Sequence, residues 1–583
     1  MLFQRRKVST AIAVFALIVA GCTSDSTGPS APNPILGLSS TPKSSSSVQL
    51  TFNSVAGDAS YDIERAEGAA GAFAAVTSIP APTTPGQVSY TDTNLKVNTL
   101  YRYHVITNKG GLKSTASGES SATTLDFGNA AADVATDITA NRTFFADTAY
   151  TLKGFIHVAN GATLTIQPGT KIMGDFNTLG SSLWILRGAK IQAVGTADAP
   201  IVFTSSRAAG SRQPGDWGGL IMVGNAINNR SGSVEIEGSG TDGTAVVGGK
   251  NYQVLYSGGT VATDNSGTLS YVRVQFAGFA PSLNNELNSF TFAAVGSGTR
   301  ASFLQAMAGL DDSYEFFGGG FDLDHLVAYE TGDDMYDMSE GWVGRMSFLI
   351  GYNSVQLTPR TGAGFLASDI EGIENDGCNG SGCVNGFNQA PFTVPLVSNF
   401  TLIGCGDVAC VGSGGGFGMM IRRGSGGYYV NGVLGRWPRG GISLRDQETY
   451  VRGGSAAIPD PATSDLVIRN NFFADVGGLV FQAGGGSTVQ NSLDLAGNSL
   501  TSSGATTASL FTTLPAQGAA PTGVASFDWT PAASAAIATG GLATFPGKIA
   551  TKAGTVVTGT AYLGAAAPAG TKWWAGWTTY VRN

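Results

Sequence analysis

Thr163-Leu164-Thr165-Ile166-Gln167-Pro168-Gly169-Thr170-Lys171-Ile172 is followed closely by Leu183-Trp184-Ile185-Leu186-Arg187-Gly188-Ala189-Lys190-Ile191. Each piece reads as short strands with alternate apolar residues, closed by a Gly or Pro corner. Gly195-Thr196-Ala197 and Pro200-Ile201-Val202-Phe203-Thr204 repeat the pattern. The recurrence, over roughly twenty to thirty residues, is that of a β-solenoid coil. Working towards the C-terminus, further rungs are expected at 269–274, 302–304, 321–327, 345–350, 396–403, 427–431 and 466–471. Asn399, Asn431 and Asn470 fall at comparable places in their rungs, which predicts stacked amide ladders. Helical periodicity is almost absent after residue 22. A stacked coil buries its interior only against neighbouring coils, so residues 127–583 are expected to form one parallel β-helix domain with a closing C-terminal segment.

Working towards the N-terminus, residues 35–126 alternate apolar and polar positions in short runs between turns, which predicts a small β-sandwich. Tyr61-x-Ile63-x-Arg65, Tyr90-Thr91-Asp92, and Leu95 with Leu100-Tyr101-Arg102-Tyr103 make this stretch resemble a fibronectin type III domain. Phe52 stands where that family has a strand-B Trp, and no RGD tripeptide is present. The resemblance implies a spacer or a binding module.

The first residues read as an export signal, residues 1–21. Arg5, Arg6 and Lys7 precede the short apolar run of residues 11–20, and Val19-Ala20-Gly21-Cys22 resembles a bacterial lipobox. Cys22 is therefore expected to carry diacylglycerol, with residues 22–34, rich in Ser and Pro, as a flexible tether. The expected location is the outer membrane, lipid-anchored on its periplasmic or extracellular face. Charged residues are only 13% of 583, Gly numbers 83, and the net charge of −8 argues against nucleic acid as a partner. Four cysteines remain, Cys378, Cys383, Cys405 and Cys410; export and tight spacing favour two local disulfides, though three pairings are open.

Residues 140–583 resemble a group of large bacterial surface or periplasmic lipoproteins with a right-handed parallel β-helix. The resemblance is carried by Leu164-x-Ile166-x-Pro168-Gly169-Thr170, Arg187-Gly188-Ala189, Asp216-Trp217-Gly218-Gly219-Leu220 and Tyr314-Glu315-Phe316-Phe317-Gly318-Gly319. It continues through Gly332-Asp333-Asp334, Gly341-Trp342, and Tyr562-Leu563-Gly564-Ala565 with Trp574-Ala575-Gly576-Trp577. It implies a fold with more force than an activity.

Residues 311–340 hold ten of the chain's 41 acidic residues, among them Asp311, Asp312, Glu315, Asp333, Asp334 and Asp337, with no Lys or Arg between them. Asp369, Glu371, Glu374 and Asp376 follow. Asp312 and Asp333, like Glu315 and Asp337, are about one coil apart, so register would stack them on one face. Stacked carboxylates repel unless neutralised, by a hard cation such as Ca²⁺ or by an arginine such as Arg345. Trp217, Tyr336 and Trp342 are candidates to stack on sugar, with Arg345 and Arg422 as polar contacts; burial in the core is the other reading of the aromatics. Three functions follow. The first is a displayed binding or adhesion lipoprotein engaging polysaccharide or an envelope partner through the β-helix face. The second is a calcium-dependent polysaccharide lyase, with Arg345, Arg422 or Arg423 as base, or a glycoside hydrolase on two carboxylates such as Glu315 and Asp337. The third is a structural envelope protein whose acids bind calcium in closed sites. No recognised catalytic motif is present, and the balance leans away from an enzyme.

Overall fold

The computed structural model describes residues 30–126, 128, 130–238, 246–247, 250–251, 254–282, 285–367, 369–483 and 493–580. Cys22 and the rest of the export signal lie outside the described residues. No described helix is long and apolar enough to cross a membrane. The chain divides into two compact units, one ending at Leu125 and the other starting at Asp126.

The first unit is an antiparallel β-sandwich. Ser39–Ser44, Ser47–Asn53 and Gln87–Asp92 form one sheet, while Ala74–Pro80, Ser60–Glu67 and Leu100–Lys109 lead the other. Alternation decides what is buried: Val48, Leu50 and Phe52 face Tyr61, Ile63, Tyr101 and Tyr103. The motif residues hold each other. Arg65 grips both oxygens of Asp92 at 3.0 and 2.9 Å, Tyr103 donates to Asp92, and the Lys96 amide donates to the Tyr101 hydroxyl.

The second unit is a parallel β-helix whose coils have three faces. Gly267–Gln275, Arg300–Met307, Asp322–Tyr329, Arg345–Tyr352 and Leu396–Ile403 pair in parallel, one above another. Each is bent at one residue with positive φ: Tyr271, Phe303, His325, Phe348 and Asn399, at 50 to 59°. The half before the bend lies on the first face and the half after it on the second. The third face is a separate ten-stranded sheet running from Phe155–Val158 through Tyr314–Gly319, Asp337–Ser339 and Ile373–Asp376 to Leu479–Ala483. Inside, rings continue from rung to rung: Phe290, Tyr314 and Tyr336 stack at 5.1 and 5.2 Å, nearly parallel.

Two local disulfides join Cys378 to Cys383 and Cys405 to Cys410. The asparagine column corrects the ladder expectation. Asn399, Asn431 and Asn470 do share one bend position, but their amides bind the closing segment. Asn399 donates to the Gly564 carbonyl, Asn431 accepts from the Leu542 amide, and Asn470 donates to the Gly540 carbonyl. That segment covers a second face whose outward residues, Val327, Ile350, Tyr329 and Tyr352, are themselves apolar. Phe511, Phe527, Trp529, Trp574 and Trp577 bury them.

Candidate functional site

On the third face, strand alternation turns Tyr314, Phe316 and Met338 inwards and Glu315, Asp337, Glu374 and Asp376 outwards. Glu315 is the register partner of Asp337, and Asp337 of Glu374. Gly318 and Gly319, with φ of 64 and 74°, turn the chain off this strand where a Cβ on Gly319 would meet the Val295 carbonyl at 2.4 Å. At the adjoining corner a second ladder forms. The Asp312 amide donates to the Asn288 side chain at 3.0 Å, the Asp334 amide to Asp312 at 2.7 Å, and the Glu371 amide to Asp334 at 2.6 Å. Asp312 thus stacks with Asp334, one residue from the expected Asp333, because each side chain serves the backbone of the rung that follows.

These outward acids floor a cavity of about 980 Å³. An inserted segment walls it with Arg230, Glu235, Glu237 and Tyr256, the short strand Asn285–Leu287 adds Glu286, and the loop closed by Cys378 and Cys383 adds Asn379, Gly380 and Ser381. Eleven carboxylates and only three arginines, Arg230, Arg422 and Arg423, line it. Arg422 bonds Glu374 and Asp376, each at 2.7 Å, and Arg423 also bonds Asp376. Arg230 bonds Glu340, to which Tyr256 donates its hydroxyl, and it also donates to the Asn379 and Ser381 carbonyls.

Charge is therefore far from balanced. Burial first, and neighbouring carboxylates second, hold Asp311, Asp312, Glu315, Asp333, Asp334, Asp337 and Glu371 well above the ordinary carboxylate range. Glu237 is raised by burial and by Glu286. Glu374 is pushed up to about 7 by burial and Asp376, with Arg422 opposing. Three groups bring carboxylate oxygens within 4.8 Å of one another: Asp311, Asp312 and Asp333; Asp312, Glu315 and Asp337; Asp334, Asp337 and Glu374. Asp333 and Asp337 each keep one buried oxygen without a hydrogen-bond partner among the described residues.

The other expected site residues lie elsewhere. Trp217, Tyr336 and Trp342 are 0% exposed and belong to the core, so none offers a ring to a sugar. Trp217 donates to the Gln275 carbonyl and Tyr336 to that of Ile350, which satisfies their polar atoms inside the coil. Arg345 is on the first face, bidentate to Asp322 at 2.6 and 2.8 Å and bonded to the Ala553 carbonyl, so it neutralises no acid of the cavity. Arg230, Glu237, Tyr256 and Glu286 carry no linear signal, since their place depends on how the inserted segment packs. That packing is apolar: Ile236 and Tyr256 join Trp184, Phe279 and Phe317.

No curated protein matches the chain. Solved structures similar to its N-terminal part include an Fn3-like protein from Clostridium thermocellum, 29% identical over 16% of this chain and 92% of its own, at a TM-score of 0.14. FN3tt is 19% identical over 16% of this chain and 97% of its own, also at 0.14. The fibronectin type-III domain of human fibronectin type III domain containing protein 3 is 22% identical over 17% and 94%, again at 0.14. The coils that carry the acidic cavity fall within residues 136–514, which match the pectate-lyase like beta helix domain, and the chain belongs to that family.

Proposed function

We propose that this protein is a lipid-anchored, surface- or periplasm-displayed polysaccharide-binding protein whose third-face cavity binds its glycan through a divalent cation, Ca²⁺ being the simplest choice. One observation carries the reading: Asp337 belongs to two of the three close carboxylate groups and keeps a buried oxygen with no hydrogen-bond partner among the described residues. Hard cations take several carboxylate oxygens at once, and an unsatisfied buried oxygen is costly without one. The family match supports a polysaccharide-related role. Binding is favoured over lyase chemistry because Arg422 is clamped by Glu374 and Asp376, which raise its pKa and make it a poor base. Affinity electrophoresis of the full chain in polyuronate and neutral-glycan gels tests this. Retardation should appear with Ca²⁺, vanish with chelator and be lost in Asp337→Asn; equal mobility in every gel with and without Ca²⁺ overturns it. Cys22→Ser should move the protein from the membrane fraction to the soluble fraction.

The carboxylate spacing also favours a second reading. Glu315 and Asp337 are register partners on adjacent rungs, and parallel strands stand about 4.8 Å apart, close to the about 5 Å between the acids of retaining glycosidases. That reading predicts new reducing ends from a bound glycan and their loss in Glu315→Gln. Retardation without reducing ends leaves binding as the activity.

A further inference from the structure

The second face carries a feature of opposite sign. Its outward column runs Lys171, Val202, Arg273, Gln305, Val327, Ile350 in successive rungs. From Gln305 onwards the closing segment covers it, and the Gln305 amide is satisfied at both ends by the Thr579 backbone, at 2.6 and 3.0 Å. Lys171 and Arg273, one rung on either side of Val202, have no such partner. Both are half-buried, and neither makes an ion pair or side-chain hydrogen bond among the described residues. The Arg273 Nε is wholly buried without an acceptor, and burial alone pushes the guanidinium down to about 10. Arg212 is close enough to Lys171 to lower its ammonium pKa beyond what burial does, while its own charge is supported by Asp216 and its Nε donates to the Arg207 carbonyl. The chain has just 33 basic residues against 41 acidic ones, so two half-buried cations, Lys171 and Arg273, without a counter-ion among the described residues are costly unless something offsets them.

We propose that Lys171 and Arg273 form an oxyanion site on the second face, fitted to a phosphate or sulfate group. Two rungs place the Lys171 and Arg273 Cα atoms about 10 Å apart, a span that a tetrahedral oxyanion bridges between two long side chains. A guanidinium supplies paired donors and an ammonium a point charge, the combination that holds such groups. Neither residue lines the acidic cavity, so the proposal stands whether or not that cavity binds cations.

The test is calorimetric titration of the full chain with inorganic phosphate and with sulfate at fixed ionic strength. The wild type should bind. Arg273→Gln and Lys171→Gln should each weaken binding about tenfold or more, as expected for losing hydrogen bonds to a charged group. Lys153→Gln, whose lysine already pairs with Asp175, should change nothing. No binding by the wild type, or equal binding by all variants, overturns the site. The melting temperature gives an independent reading: phosphate should raise it in the wild type and not in Arg273→Gln, which in phosphate-free buffer should melt no lower than the wild type. Arg273→Gln melting lower in both buffers means a structural role and also overturns the site. Retention by phosphatidylglycerol but not phosphatidylcholine vesicles would assign the anion to a lipid headgroup. Phosphate binding without vesicle retention would assign a soluble or glycan-borne group; both outcomes support the site.

Discussion

Asp337 and Glu374 stand one rung apart on the third face, and burial raises both carboxyls. An acid whose folded pKa is raised holds its proton more tightly folded than unfolded, so stability falls as pH climbs from the unfolded value to the folded one. For Glu374 that window runs from 4.5 to about 7 and is worth on the order of 3 kcal/mol. In chelator, the melting temperature should therefore drop across this window, and Glu374→Gln should flatten the drop; a rise with pH would contradict the assignment. Saturating Ca²⁺ should reverse the trend, since the metal binds only deprotonated oxygens. Arg230 gives the complementary case. Its pair with the buried Glu340 is nearly dry, so Arg230→Met should destabilise by about 3–5 kcal/mol and leave Glu340 stranded. Adding Glu340→Gln should recover much of this, as read by denaturant midpoints of the single and double variants.

Among elements, the bends between the first and second faces are held by residues in the left-handed region. Asn431, with φ of 61°, pairs there with the Leu542 backbone of the closing segment. Asn431→Ala loses the bonds and strains the backbone, whereas Asn431→Gly loses only the bonds. Alanine should cost about 2–3 kcal/mol and glycine about 1 less. Proteolysis near residue 542 should follow the same order. The first- and second-face strands were legible because each keeps an apolar–polar alternation between Gly or Pro corners. On the third face Ser182–Ile185 was legible in the same way, but the strands that carry the acids were not. Asp337–Ser339 is three residues long, and its outward acids look in sequence like a solvent cluster rather than a strand. For the same reason Trp217, Tyr336 and Trp342 could not be placed. Flanked by glycines and acids, their spacing fails to distinguish a ring facing in from one facing out.

For the molecule as a whole, two units with separate cores should unfold in two calorimetric transitions. Only the larger should move on adding Ca²⁺, and deleting residues up to 125 should abolish the smaller alone; one merged transition shifting as a unit would refute this. At this scale the stacking of Glu315 on Asp337 was readable in advance, because one coil separates them, whereas Asp312 meets Asp334 and not Asp333. The walls of the cavity were not readable, because they come from an excursion whose landing place is fixed by apolar packing against Trp184 and Phe279.

The coils also differ in length. Arg300, Asp322, Arg345 and Leu396 are register partners in turn, yet the steps between them are 22, 23 and 51 residues. The four strands stay eight residues long, so the surplus is spent at corners, one excursion ending as the loop beside the cavity. Insertions and deletions in descendants of this sequence should therefore accumulate at corners, where the mouth of the cavity can be resized without touching its floor. A single residue gained within Tyr314–Gly319 would do the reverse. It would carry Glu315 into the core and Phe316 into the cavity, erasing the site in one mutational event while leaving the composition almost unchanged.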